Sequence, residues 1–461
     1  MGSRQDDSFT LAPTGDSILT RPVLPREGDP AFDAVLDRLR GADAALTNLE
    51  VVITDGSRYA TPPRRIRDQY QYLSSFPGMV LRSPAGLLDE LAGMGIDLFS
   101  TASNHSYDFG RRGMEATMRA LENRDLSYAG LGRSLPEARD PAYTTTAGGR
   151  VGLVHASTSV APGSEAGAPS SLLPGRPGIS PLHVTWRYSL TEERLAQLRE
   201  IGDAVGIDDV KQTWTGRQDP DPDAEAGYDF MHMSFEQVAC EAAEGIDLSL
   251  YGPDREAVLA QVREADAEAE WVVASLHAHQ GPGGTRNVPE TPAFLETFAR
   301  ECIDAGADAF VGTGPHVLRG IEVYDGKPIF YSLGNFFCQF ETLDRLPAET
   351  FEYYGVDDDR YPSAVFDARY YEDGEPAGNL AYPAYWRTIV PTCEFGADGV
   401  LDRIELLPCS LGRTRERWNR GTPLRATGGE GEAVLDEVAD RSRRFGTTVE
   451  REDGVGVITP S

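Results

Sequence analysis

Six short apolar runs, each breaking off into a polar or glycine-bearing turn, constrain this chain more than any other feature. AALTNLE, IDLFSTASNH, RVGLVHAST, EWVVASLHAH, DAFVGTGPH and KPIFYSLGN read as buried strands that lead into loops. Between several of them lie helical patterns: AFDAVLDRLRGA, GLLDELAGMG, GMEATMRALENR and PAFLETFARECIDAG, the last with its apolar residues at spacings of three and four. Strands alternating with helices imply an α/β architecture with layered sheets. The chain has 461 residues, about 40% of them apolar, enough for a large core.

Two regions break this rhythm. Residues 203–232, including TWTGRQDPDPDAEAGYDF, are rich in proline and aspartate and are expected to form an insertion or loop. Residues 341–387, with YYGVDDDRYP and RYYEDGEPAGNLAYPAYW, are aromatic and acidic without a clear period, which suits either a substrate lid or a solvated loop packed by its own tyrosines. The expected organisation is one unit over 1–345, with its insertion, and a C-terminal part over 346–461 that is loop-rich before a strand and a helix. The opening MGSRQDDSFTLAPTGDS has no hydrophobic export segment, and no apolar run approaches the length of a membrane span. The expectation is a cytoplasmic protein. Its five cysteines have no CxxC spacing and read as buried free thiols in a reducing compartment.

Charge narrows the partners. Asp and Glu total 73 against 43 Lys and Arg, for a net charge of -30, and Lys211 and Lys327 are the only lysines. Such a surface repels nucleic acid and anionic membranes unless a local patch reverses it. It also repels itself in dilute buffer, and salt screens that repulsion. The composition resembles that of proteins from salt-in halophiles such as haloarchaea; an acidic protein from a GC-rich bacterium is the alternative. Against this background TPPRRIRDQY places Arg64, Arg65 and Arg67 together. An arginine fork suits a carboxylate or phosphate, so Arg64 and Arg65 are candidate contacts to an anionic substrate, with a structural ion pair as the other reading.

The polar residues that follow the strands form a recurring set. They are Asp16 in GDSIL, Asn48 and Glu50 in TNLE, Asn104 and His105 in SNHSYDFG, His277 and His279 in SLHAHQGPGG, and His316 in GPHVLRG. Ligands of open α/β sheets bind at the carboxyl ends of strands. Two carboxylates, an amide oxygen and imidazoles gathered there make a divalent-metal site for a hard or borderline cation.

The order GD, NLE, NH-x-x-D-x-G, SLH and GPHVLRGIE-x-Y-x-GKPI-x-YSLGNF resembles the CapA family of capsule and poly-γ-glutamate synthesis proteins. GRPGISPL at 175–182 and the closing RGTPLRA and RFGTTVE extend the likeness toward the C-terminus. The resemblance implies a fold similar to calcineurin-like metallophosphoesterases, an α/β/β/α sandwich with loop insertions and a C-terminal extension. Carried over residue by residue, it implies Asp16 and His316 on a first metal, Glu50 bridging, and Asn104 and His277 on a second. His105 takes the place of a general acid or electrostatic stabiliser, and Asp108 would fix its tautomer or cap a helix. Asn48, His279 and Asn335 remain as candidate substrate contacts, Asn335 with a structural turn role as its alternative.

Two departures from that pattern thin the metal shell. Asp16 is followed by Ser17 and Ile18 instead of completing an Asp-x-His pair, and Thr313 stands where relatives often carry a second histidine. Neutral threonine is a poor ligand for a borderline metal. The expected cofactor is therefore a divalent ion (Mn, Zn or Fe), with one ion or none in place of two. The resemblance implies a metal-assisted hydrolase acting on an anionic polymer, peptide or phosphoester, with other capsule-synthesis proteins as partners. Two alternatives stay open: a metal-independent peptide epimerase using Asp16 and His316 as acid and base, and a non-catalytic polymer-assembly factor.

Overall fold

The strand Phe9–Ile18 organises the molecule. On one edge it pairs in parallel with Ala44–Leu49; on the other it runs antiparallel to Arg387–Phe395 at Phe9, Thr10 and Leu11, then parallel to Asn335–Cys338 from Asp16 onward. Gly15 permits that crossover, because a Cβ there would lie 1.9 Å from the Gly334 carbonyl oxygen. The close approach lets the Asp16 amide donate to that oxygen at 2.9 Å. The computed structural model describes residues 8–55, 79–215, 227–231, 233–357 and 361–460.

Phe9–Ile18 lies within a ten-stranded sheet. Its parallel half continues through Ala44–Leu49, Leu98–Ser100 and Ser127–Ala129, and its antiparallel half through Arg387–Phe395, Leu401–Ser410 and Val455–Ile458. The C-terminal residues thus complete the same sheet that the N-terminal strand begins. A second, six-stranded sheet has Gly149–Ser157, Trp271–His277, Ala309–Thr313 and Lys327–Phe330 running parallel at its centre.

Strand alternation sorts the apolar residues into layers. Phe9, Leu11, Leu46, Leu98, Val151, Leu153, Trp271, Val273 and Val311 interdigitate between the two sheets, where the Phe9 and Trp271 rings stack with centroids 4.4 Å apart. The opposite face of the first sheet packs Ala12, Ile18 and Phe99 against the helices Pro30–Gly41 and Gly86–Gly93. The outer face of the second sheet packs Val272, Ala274 and Leu276 against Gly252–Glu268 and Ala293–Asp304. This is a helix–sheet–sheet–helix sandwich, as expected. Truncating Trp271 at its centre would cost about 3–5 kcal/mol.

Both irregular regions are more ordered than their sequences suggest. The 203–232 segment belongs to a larger accessory unit in which Gly227–Phe230, Met233–Val238, Val184–Thr191 and Gly245–Leu250 form a four-stranded sheet beside the helices Glu192–Val205 and Ile207–Thr215. Residues 216–226, the Pro/Asp-rich centre, lie outside the described residues. In the 341–387 region the short helices Ala348–Tyr353 and Pro362–Tyr370 send Phe351, Val365, Phe366 and Tyr370 into the main core. The segment is neither a bare lid nor a solvated loop. Its aromatic residues have no helical period because they pack in several directions around Phe336, Phe337 and Phe340.

Candidate metal centre

The carboxyl ends of both sheets deliver polar side chains to one buried point. Asp16 leaves its strand fully buried, and its carboxylate accepts from the Gly314 amide at 3.0 and 3.2 Å and from Asn48 Nδ2 at 2.8 Å. Gly314 can approach so closely because it has φ 107°, and a Cβ there would sit 2.9 Å from the Ala278 amide nitrogen. Two residues on, His316 has φ 59°, a left-handed conformation that costs a non-glycine residue free energy and is concentrated at functional sites. Its Nδ1 lies 2.9 Å from Asn335 Oδ1, 3.3 Å from Asp16 Oδ2 and 3.8 Å from Glu50 Oε2.

Glu50 is the anomaly of the site. It is fully buried, and neither carboxylate oxygen has a hydrogen-bond partner. Burial, together with the neighbouring charges of Asp16 and Asp108, pushes its carboxyl well above the ordinary carboxylate range. Asp16 moves the other way. Burial pushes it up, but the hydrogen bond and charge of His316, the charge of His277 and the Asn48 amide together leave its pKa lowered. One carboxylate is thus held ionised by partners, while the other lacks any.

Three imidazoles surround these carboxylates. His277 is wholly enclosed, and burial depresses its pKa to about 3, so it is neutral. Its Nδ1 faces Asn48 Nδ2 and Thr313 Oγ1, each at 3.2 Å, while Nε2 lies 2.9 Å from Asn104 Oδ1 and 3.7 Å from Glu50 Oε1. His279 is also buried, with Nδ1 2.7 Å from Asn287 Oδ1 and Nε2 2.9 Å from the same Asn104 oxygen. Burial lowers its pKa well below the usual value, helped by the charges of His277, Arg286 and His316. Glu50, His279 and His316 each offer a ligand atom within 4.8 Å of the other two, so they could share one metal ion.

Several residues sit differently from their sequence assignment. His279 points inward to the donor cluster. Asn48 and Asn335 are buried and fully engaged: Asn48 accepts from Ser100 Oγ at 3.3 Å and donates to Asp16, and Asn335 donates to the Tyr385 carbonyl at 3.0 Å while its oxygen faces His316. Both side chains are enclosed by these partners. Thr313, also buried, orients His277 through its hydroxyl. Arg64 and Arg65 lie outside the described residues.

His105 is partly exposed beside the cluster, and its Nδ1 lies 2.7 Å from Asp108 Oδ2. That oxygen also accepts from the Leu81 amide at 2.7 Å. The helix Gly110–Glu122 begins beyond it with no side-chain cap, so Asp108 fixes the His105 tautomer and does not cap a helix. The residues that sequence reasoning missed are Asn287 and Tyr385. Asn287 holds His279 and hydrogen-bonds the Tyr385 hydroxyl, and the Tyr385 ring lies 6.1 Å from that of His316. The only sequence signal was that Asn287 follows the glycine-rich turn after His279 and that Tyr385 sits in an aromatic stretch.

The family model for the bacterial capsule synthesis protein PGA_cap matches residues 10–339, which span every strand end just described. The chain belongs to the PGA_cap family. Among its relatives, the protein y4sH of Sinorhizobium fredii is 32% identical over 98% of this chain and 93% of its own length. The capsule biosynthesis protein CapA of Bacillus anthracis is 23% identical over 72% of this chain and 60% of its own length. The PGA biosynthesis protein CapA of Bacillus subtilis is 43% identical over a shorter stretch, 18% of this chain and 20% of its own. Membership places this PGA_cap protein among proteins of capsule and poly-γ-glutamate biosynthesis. None of its described helices is long and apolar enough to cross a membrane.

Proposed function

We propose that this PGA_cap protein is a metal-assisted hydrolase that cleaves an anionic polymer or a phosphoester during capsule polymer synthesis. The observation that carries the reading is Glu50, a buried carboxylate with two unpartnered oxygens facing imidazoles. An unpaired buried charge is costly, and such groups are kept where they bind a cation or react. The donor set, one carboxylate and two imidazoles, suits Zn, Mn or Fe. Glu50, His279 and His316 would hold the ion, with Asp16, Asn104 and His277 packed against them.

When bound, the ion supplies Lewis-acid polarisation of the bond under attack. The protein's own residues do the rest. Asn287 accepts a hydrogen bond from the Nδ1–H of His279, which would leave Nε2 as the ligand atom, Asn335 does the same for His316, and the Thr313 hydroxyl braces His277 against them. His105, with its Nδ1–H hydrogen-bonded to Asp108, would act as general acid in its imidazolium form, giving its Nε2 proton to the leaving atom and ending as the neutral Nδ1–H ring.

The acid/base epimerase alternative is less well supported. Its two groups must act on opposite faces of one carbon, yet His316 Nδ1 and Asp16 Oδ2 are 3.3 Å apart, in contact with each other. The test is metal loading followed by assay. Protein loaded with Mn²⁺ or Zn²⁺ should bind one equivalent and cleave poly-γ-glutamate or bis(p-nitrophenyl) phosphate, and Glu50→Gln should do neither. Parent protein that binds no ion, or a Glu50→Gln variant that hydrolyses at the parent rate, would reject the proposal.

A further inference from the structure

The loop that follows His279 is built with unusual rigidity. Its two ends are joined by the Asn287 amide donating to the His279 carbonyl at 3.0 Å and by a bridge between Gln280 and Arg286. At the turn, the Gly281 amide donates to the Thr285 carbonyl at 2.7 Å. From beneath, Arg319 clamps both ends: it is 1% exposed and donates from Nη2 to the Gln280 carbonyl at 2.8 Å and from Nε to the Val288 carbonyl at 3.2 Å. From outside, the accessory sheet presses Trp186 onto the turn so tightly that a Cβ on Gly284 would lie 2.3 Å from its ring. Three independent restraints hold one short loop.

That loop presents Arg286. Most of the described arginines are paired with the acidic groups of this very acidic chain, yet Arg286 makes no ion pair or hydrogen bond from its guanidinium among the described residues. Its side chain is exposed. It is next in sequence to Asn287, which holds His279, and its charge is felt by both His279 and Tyr385. Enough protein surrounds the guanidinium for desolvation to pull its pKa below the usual arginine value. The bridge to Gln280 and the neighbouring Asn287, which holds His279, place Arg286 beside the metal centre.

We infer that Arg286 is the anion-recognition residue of this site, binding a carboxylate or phosphate group of the substrate next to the group being cleaved. The inference rests on the proposed hydrolase reading for its substrate, but not for the contact itself. A chain of net charge -30 repels an anionic ligand, so a local unpaired cation is needed to hold one at the centre. Arginine meets that need with a planar fork that pairs both oxygens of a carboxylate or phosphate. The rigid loop lowers the entropy lost on binding, because the backbone that carries the fork is already fixed.

The test uses full-length protein and two probes, γ-linked triglutamate and inorganic phosphate, titrated calorimetrically against the parent, Arg286→Gln, Arg286→Lys and Arg112→Gln. Arg112 is exposed on the helix Gly110–Glu122 and controls for loss of one charge from the overall field. Arg286→Gln should weaken the better probe about 10- to 100-fold, with Arg286→Lys intermediate and Arg112→Gln within twofold of the parent. Preference for triglutamate identifies a carboxylate as the ligand, and preference for phosphate a phosphoryl group. Parent protein that binds neither probe, or Arg286→Gln that binds both within twofold of the parent, would overturn the inference. Parallel Mn²⁺ titrations separate the two readings. Anion binding that depends on Arg286 in protein that takes up no Mn²⁺ would sink the hydrolase and leave this contact standing. Normal Mn²⁺ uptake with unchanged anion affinity in Arg286→Gln would do the reverse.

Discussion

Replacing Glu50 with glutamine should make the metal-free protein more stable while abolishing its response to metal. Glu50 is fully buried and both of its oxygens lack partners. A buried polar group left unpaired costs roughly 1–3 kcal/mol, more when charged. Glutamine keeps the shape and removes the charge, so a gain of about 1–2 kcal/mol is expected at pH 8. The sign follows from linkage. The carboxyl titrates well above 4.5 in the folded protein and near 4.5 when unfolded, so the unfolded chain loses its proton first as pH rises. Parent stability therefore falls as pH climbs from about 4.5 through the raised folded value, and the glutamine advantage appears only over that window. Added Mn²⁺ should reverse the ranking, since a ligand at 100 times its Kd stabilises the parent by about 2.7 kcal/mol and the variant not at all. Thermal melts at pH 5 and pH 8, with and without Mn²⁺, measure all four quantities. A glutamine variant less stable than the parent at pH 8 without metal, or an advantage independent of pH, would refute the reasoning.

Other perturbations probe neighbouring parts of the site. Asp108→Asn removes the carboxylate that holds the His105 tautomer, so turnover should fall roughly 100-fold while Mn²⁺ affinity stays within about threefold; a parallel loss of metal would place His105 among the ligands. Thr313→Val deletes the hydroxyl facing His277 Nδ1, a ring packed against the ligands and not one of them, and should leave Mn²⁺ affinity within about threefold; a loss of about 10-fold or more, measured by competition with a chelating dye, would place His277 among the ligands. Between 0.1 and 2 M KCl the thermal midpoint should rise, because salt screens a net charge of -30; a flat or falling midpoint would mean that paired surface charges already cancel the repulsion.

The layered architecture was legible in the sequence because it is a local property repeated many times. Continuous apolar runs such as EWVVASLH can be satisfied only by strands covered on both faces, and amphipathic segments such as PAFLETFARECID by helices that cover them. The same locality made the strand ends visible, and Asp16, Glu50, Asn104, His277 and His316 do meet. Aromatic order in 341–387 was not legible, because residues such as Phe366 and Tyr370 bury against partners such as Phe340, with no period of their own.

Which partner each polar residue meets at the strand ends is decided only by tertiary structure. Asn48 and Asn335 carry the same amide as Asn104, yet the first two are spent on Asp16, Ser100, His316 and Tyr385, while Asn104 faces two imidazoles. His279 reads as a loop residue in SLHAHQGPGG, but Asn287, in a left-handed turn at φ 55°, and the Arg319 clamp fold that loop back so the ring points inward. Sequence fixes which atoms arrive at a strand end, since the two-residue strand period is set by adjacent bonds. Whether an arriving atom meets a ligand, a supporting hydrogen bond or solvent depends on groups from distant segments, which only the packed chain brings within hydrogen-bonding distance.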